Sequence, residues 1–571
     1  VNFGNKSAKV WLSVQNTVNQ GEQMPDKKQG PIDQQLQDLN NDGVDHCRSV
    51  KRMKHSIKTA PSQLIFSILW MAVCAAVLTL NGDAQTGAWL MPSHDEQHSG
   101  LSTVQSQALG TIHWQVPVDL SPPNGTITVH YGSPLVTAAN TVIVPVKAGT
   151  NSFRVEAHNG ATGQRLWMQK TGWQAPEASF VPGLGPALSS NSLFVPDIAG
   201  RVLVRSSPDQ AKGTVTRLYF YGAKNFRKNP TVYEQNVQIN TPLSIDATGN
   251  IYFGFLVLGP TPINLQSGLA RVAPNGVGTW VSAAAASGDP LITQVAISCA
   301  PALSPDGSLL YVAVDTANLE GNFGYLLALN STTLAQVGRV RLTDPSSGMD
   351  AWLFDGTSAT PTVGPDGDVY FGVLENPFPN HNNRGWMLHF SSDLSQTKIP
   401  GSFGWDDTSS IVPASMVSSY TGTSSYLLMT KYNNYADVGT GDGKNRIAIL
   451  DPNATENDPI IPSVLVMNEV ITILGPTPDK KSGIPGAVKE WCINTAAVDP
   501  FTKSILANSE DGKLYRWDLT SNTLSQRIRL SKGIGEAYTP TVIGSDGTAY
   551  AINDAILDAI GTKAQNDASQ P

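Results

Sequence analysis

The chain has 571 residues, 40% of them apolar and only 15% charged, with 51 glycines and 38 prolines. That is the composition of a globular protein with a large core, built from short strands and many turns in preference to long helices. Its 38 basic and 46 acidic side chains give a net charge of −8, which argues against a nucleic-acid partner because phosphate binding needs a basic face.

Residues 1–52 are polar, show no apolar periodicity and are expected to be a disordered or non-native extension. Residues 64–80 (LIFSILWMAVCAAVLTL) are 17 positions without a charge, preceded by Lys54 and Lys58 and followed by Gly82-Asp83-Ala84. A positive start, an apolar middle and a small-residue exit are the parts of a secretory signal, so 53–84 is expected to be a signal peptide cut before Gln85. The competing reading keeps 64–80 as an uncleaved membrane anchor, at the short limit for spanning a bilayer. Both readings place the rest of the chain in the cell envelope or outside it, secreted or periplasmic. Beyond this segment only Cys299 and Cys492 remain, too few and too far apart for a disulfide framework.

Next come WLMPSHDEQHSGLS (89–102) and a strand-like IHWQVPV (112–118). His94 and His98 have the spacing of paired helical ligands. Pro92 and Gly100 bound the segment too closely for a helix, so a structural role at a ring closure is expected instead. A hairpin pattern then recurs eight times: 131–146, 185–197, 240–255, 300–314, 359–373, 411–430, 494–509 and 538–552. In copies such as APALSPDGSLLYVAV and ATPTVGPDGDVYFGV, Asp-Gly supplies the turn and a Tyr/Phe/Val alternation supplies a half-buried strand. Third strands follow in SFRVEAHNGATGQRLW (152–167), GYLLALNSTTLAQVGRVRL (324–342), RIAILDPNAT (446–455) and GKLYRWDLTSNTLSQRIRL (512–530), each with a turn that leads into a fourth.

Eight units of four antiparallel strands predict an all-β, eight-bladed β-propeller over 85–561, with a polar tail at 562–571. Pro134, Pro186, Pro242, Pro301, Pro361 and Pro413 are spaced by 52 to 60 residues. The interval from Pro413 to Ala496 is 83, for which 466–490 is the candidate insertion. The last copy offers three strands, so 112–118 is expected to complete it and close the ring.

AHNGATGQRLW resembles the blade motif of the PQQ-like repeat propellers, the quinoprotein alcohol dehydrogenase-like family. Ala157, Asn159, Thr162, Gly163 and Trp167 stand at its marked positions. The segment 89–102 is similar to the entry segment of such proteins. For the enzymes of that family the resemblance implies a quinone and calcium in the central channel beside a vicinal cysteine disulfide. No Cys-Cys pair occurs here, so bound PQQ is not expected, and Cys299 and Cys492 read as buried thiols on separated blades.

Loops entering blades 5 to 8 carry Asp355, Asp406, Asp407, Glu490 and Glu536, with Asp350 nearby and Trp352, Trp405 and Trp491 interleaved. Consecutive loops of a closed ring are neighbours. These five carboxylates are therefore the candidate metal site, an acidic rim for a hard cation such as Ca²⁺ or for acid–base work on a ligand stacked on aromatics. The competing reading leaves them as solvated loop residues with Trp at the blade interfaces. Long connections on the same face (LGPTPINLQSG, TANLEGNFG, LENPFPNHNNRG and KYNNYADVGTGDGKN) suit adaptable contact with a protein or glycan. Asp437 and Asp442 in the last are five apart, unlike an EF-hand loop. The resulting reading is a binding or scaffold propeller that recognises a protein or glycan through its loop-rich face, without a catalytic role. The alternative is a quinone- or metal-dependent oxidoreductase acting on an alcohol or sugar.

Overall fold

The structure is a computed structural model that describes residues 87–123, 129–178, 180–317, 323–353, 359–533 and 538–563. The expected extension and signal segment, the tail from 564 onward, and Asp355 and Glu536 lie outside these residues.

Local turn chemistry builds each blade. Asp246, Asp306, Asp366 and Asp546 each accept a hydrogen bond from the backbone N–H two positions on, at 2.9 to 3.1 Å, fixing the hairpin between the first and second strands. The blade-1 motif proves to be a second kind of turn, between the third and fourth strands. There Asn159 accepts from Ala161 N, Thr162 N and Thr162 Oγ1, at 3.1, 3.0 and 3.1 Å. Asn330 and Asp518 repeat the arrangement in blades 4 and 7.

Among the described residues the strands form eight sheets, one per blade. Blade 1, for example, runs through Leu135–Val136, Thr141–Gly149, Ser152–Asn159 and Arg165–Thr171. The innermost strands of blades 3 and 4 are each broken into two pieces. The core is a series of layers between neighbouring blades: one cluster joins blades 8 and 1 through Val142, Val144, Tyr550 and Leu557, and another joins 4 and 5 through Tyr311, Leu326, Phe371 and Trp386. Large flat side chains suit these layers because adjacent sheets present pleated faces to each other.

Ring closure follows the expectation. Thr111–Pro117 pairs antiparallel with Ile556–Gly561, making a fourth strand for Val542–Ile543, Ala549–Asn553 and Ile556–Gly561. The Trp114 indole also donates to Gly160 O of blade 1 at 2.7 Å.

The segment before that strand does more than enter the ring. Residues 89–107 circle the hub once and bond the blades in numerical order. Trp89 exchanges two hydrogen bonds with Val136; Leu90 O accepts from Leu188 N; Met91 Sδ accepts from Ile245 N. Glu96 O then accepts from Leu303 N, Gln97 O from Val363 N, Ser99 O from Ile411 N and Gly100 O from Val498 N, and Gln107 N donates to Gly547 O. These contacts fall at the ends of the innermost strands, so the strap lies across the face opposite the long loops. Ser93, His94 and His98 have φ of 60, 88 and 59°, a left-handed course that no helix permits. His94 packs edge-on against Trp89, and His98 Nδ1 faces Pro361 O at 2.8 Å. The two histidines serve the strap and do not form a ligand pair.

The expected insertion at 466–490 needs correction. Leu465–Leu474 is the outermost strand of blade 6 and pairs with a twelve-residue strand, Arg446–Asn457. The extra length lies partly in the far end of this hairpin, which reaches onto blade 5, and partly in the crossing to blade 7. Among the described residues blade 5 has three strands, Thr362–Val363, Val369–Val373 and Trp386–Phe390. Met387 bridges to Gly401 and Phe390 to Thr397 along its open edge, and Met467 N donates to Pro400 O at 2.8 Å. Asp458, at the hairpin tip, is buried and accepts from Ile460 N, Ile461 N, His381 Nε2 at 3.1 Å and the Ser402 hydroxyl.

Candidate functional site: the channel mouth

Second strands run antiparallel to innermost strands, so the loops that follow them gather where the innermost strands begin. At this mouth the sequence YLLMTKY places a lysine in a strand whose every residue is buried. Lys431 is 2% exposed. Its ammonium lies 4.8 Å from the Tyr538 ring centroid and 5.6 Å from that of Phe403. A desolvated ammonium is costly unless carboxylates and aromatic faces replace its water, and both are present.

Asp406 and Asp407 arrive on the loop into blade 6. Asp407 accepts from Thr430 Oγ1 at 2.5 Å. Burial pushes its carboxyl up to about 7 despite the nearby charge of Lys431. Asp406 sits in the left-handed region at φ 55°, and its backbone carbonyl accepts from the Tyr538 hydroxyl of blade 8. Burial raises its carboxyl to about 6, again opposed by Lys431. Glu490, from the loop into blade 7, is pushed up to about 8 by burial and then by the like charge of Glu510. From blade 1, His130 stacks on Tyr538 with centroids 4.6 Å apart and on Phe180 at 4.9 Å. The result is a ladder Phe180–His130–Tyr538 with Lys431 at its end and carboxyl groups beside it.

Of the five carboxylates expected at the rim, Asp406, Asp407 and Glu490 come within electrostatic reach of one another's neighbour Lys431. Asp355 and Glu536 lie outside the described residues. Asp350 turns away to a two-point pair with Arg341 at 2.6 and 2.8 Å. Trp491 is buried in the core, whereas Trp352 and Trp405 are half-buried beside Asp406. Sequence reasoning missed Lys431, His130 and Phe180. A lysine within an otherwise apolar strand is the signal by which Lys431 was findable.

Among the described residues no group of three or more His, Cys, Asp or Glu side chains is placed to hold a metal ion. The positive charge among the mouth carboxylates is the lysine's own, and Asp442 bonds Asn434 and Lys444 without joining Asp437. Cys299 is buried, with its thiol pushed up to about 12, and no disulfide joins it to Cys492. This donor set does not fit a quinone–calcium centre of the kind the resemblance implies.

Fold and mouth together define a closed eight-bladed propeller with buried polar and aromatic side chains gathered at the mouth of one face. No family model matches the chain, and no curated protein matches it. Solved structures do. A europium-containing methanol dehydrogenase is 10% identical, with 82% of this chain and 89% of that one covered and a TM-score of 0.49. The quinohemoprotein alcohol dehydrogenase from Comamonas testosteroni is 12% identical, with 87% and 84% covered and a TM-score of 0.46. BamB from Moraxella catarrhalis is 11% identical, with 81% and 96% covered and a TM-score of 0.30. The likeness is one of fold alone, and these proteins differ in what they do.

Proposed function

We propose that this protein is a binding propeller of the cell envelope that recognises a protein or glycan ligand through the loop-rich face, without catalysis. The observation that carries this reading is the Phe180–His130–Tyr538–Lys431 ladder at the mouth. His130, Tyr538 and Lys431 are themselves buried, so the ladder acts by holding the mouth and the loops around it rigid, which lowers the entropic cost of binding a ligand there. Long loops stand around it: 258–267, 374–385 and 433–445 connect second to third strands and are rich in Asn, Gly and Pro. The strap across the opposite face leaves this face as the natural side for a ligand.

The test is a glycan array and an envelope-protein panel probed with wild type, Lys431→Ala and Tyr538→Ala. A specific binder weakened at least tenfold in both variants, with melting still cooperative, supports the proposal. A quinone spectrum on reconstitution with PQQ and calcium, accompanied by dye-linked oxidation of an alcohol or sugar, would replace it with the oxidoreductase reading.

A further inference from the structure

Beside the mouth, on the blade 4–5 side, Trp352, Leu353, Phe371, Gly372, Trp405 and Asp406 border a cavity of about 10 Å³, room for a single water-sized group. The side chains around it are aromatic and aliphatic except at one place. Asp406 Oδ1 is buried and has no hydrogen-bond partner, whereas the neighbouring Asp407 is held by Thr430. Lys431, the nearest internal cation, acts on Asp406 electrostatically but makes no hydrogen bond to that oxygen. The loop is fixed from two sides. Trp405 N and Gly404 N both donate to Arg384 O at 2.9 Å, and the Asp406 carbonyl is gripped by Tyr538 from across the mouth. Gly372 beneath it is obligatory, because a Cβ there would collide with the carbonyl oxygens of Gly404 and Asp407.

The chemistry of this lining selects its guest. An apolar group would bury the Asp406 oxygen unsatisfied, and an anion would be repelled. A sugar ring is far too large for the space. A small cationic donor satisfies both kinds of wall, pairing with the carboxylate and facing the electron-rich indoles. We propose that this cavity is a subsite for an organic ammonium group, the head of a primary amine, seated between Trp352 and Trp405 and paired with Asp406. The inference rests on the reading of this face as the ligand-recognition face, and it adds the charge and size of the group recognised. The ammonium belongs either to a free small amine or to a lysine side chain on a protein.

Calorimetric titration of the full chain at pH 7.5 decides the matter, with methylammonium and N-acetyl-lysine methylamide as probes, trimethylammonium as an oversized control and potassium chloride at equal ionic strength as blank. Saturable binding of at least one ammonium probe is expected, weakened at least tenfold by Asp406→Asn and by Trp405→Ala. Asp406→Asn keeps the backbone carbonyl that Tyr538 holds, and asparagine tolerates the left-handed conformation, so this variant should fold. Trp405→Phe, which retains an aromatic face, should recover part of the affinity. Preference for the lysine analogue supports a protein source, and preference for methylammonium supports a small molecule. Heats equal to those of potassium chloride, or equal binding by Asp406→Asn, overturn the subsite. A glycan or protein that still binds in a Lys431-dependent manner would leave the wider reading standing while the subsite falls.

Discussion

Two blades of this propeller lack a fourth strand of their own, and they are completed in opposite ways. Blade 8 takes Thr111–Pro117 from the far end of the chain, an antiparallel ladder with one irregularity at His113 that also closes the ring. Blade 5 takes scattered bridges from 397–401 and a hairpin tip from the adjacent blade 6, anchored by one buried carboxylate. The first is a backbone solution and the second a side-chain solution. Pairing by backbone tolerates many sequences, whereas a buried charge with dedicated donors tolerates almost none.

The contrast predicts how each is broken. Removing 85–118 takes away both strap and closing strand, exposes a sheet edge, and should abolish cooperative thermal unfolding altogether; a deletion variant that melts as wild type would refute the role assigned to both. Asp458→Ala strands His381 and Ser402 in the interior and should cost about 3–5 kcal/mol in urea denaturation, with the ring still closed.

The two devices should also fail at opposite ends of the pH scale. Asp458 is held at about 2, chiefly by His381 working against burial, compared with 3.8 in the unfolded chain. Its stabilisation is present above 3.8 and is lost as pH falls towards 2. Asp558 on the closing pair is fully buried, bonded to Gln115 at 2.6 Å, and pushed up to about 7 by burial. Here the folded state binds the proton more tightly, so stability is full below 3.8 and declines as pH rises through 7. Each tenfold change in proton affinity is worth about 1.4 kcal/mol, which makes either effect a few kcal/mol. Melting temperatures from pH 2 to 9 should show Asp558→Asn flattening the decline between pH 3.8 and 7 and Asp458→Asn flattening the one between 3.8 and 2. If both variants change the same limb, the assignment is wrong. The smallest effect belongs to the mouth: Tyr538→Phe removes one hydrogen bond to Asp406 O and should cost about 1 kcal/mol.

Much of the fold was legible because it rests on local, repeated chemistry. Asp-Gly turns, alternating strands and the Asn159 turn recur within each blade. The Gly of IYFGF and VYFGV has a packing reason: Asn240, Thr241 and Val295 press on Gly254, and the carbonyl oxygens of Gly404 and Asp407 press on Gly372. The closing strand was legible through its alternation and the shortfall in blade 8. The patch on blade 5 was not, because Asp458, His381 and Ser402 each look like an ordinary loop residue until the fold joins them. The mouth was half-legible. Asp406, Asp407 and Glu490 could be picked out from the loops of consecutive blades, whereas Lys431, whose charge reaches all three, lay inside a strand. His130 and Phe180 enter from blade 1 and its exit loop, with no spacing that ties them to Tyr538.

The strap also bears on synthesis. Gln107 must wait for Gly547, made 440 residues later. At about 5–20 residues per second that delay is on the order of half a minute. Throughout it the first-made segment has its final partners for the early blades but not for the late ones. Any attachment it forms at blades 1 to 3 is provisional, and blade-by-blade folding from the N-terminus cannot be completed until the last hairpin arrives. A ribosome-stalled chain ending near residue 500 should therefore remain protease-sensitive at 100–107, whose partners are Val498 and Gly547, while blades 1 and 2 are already protected.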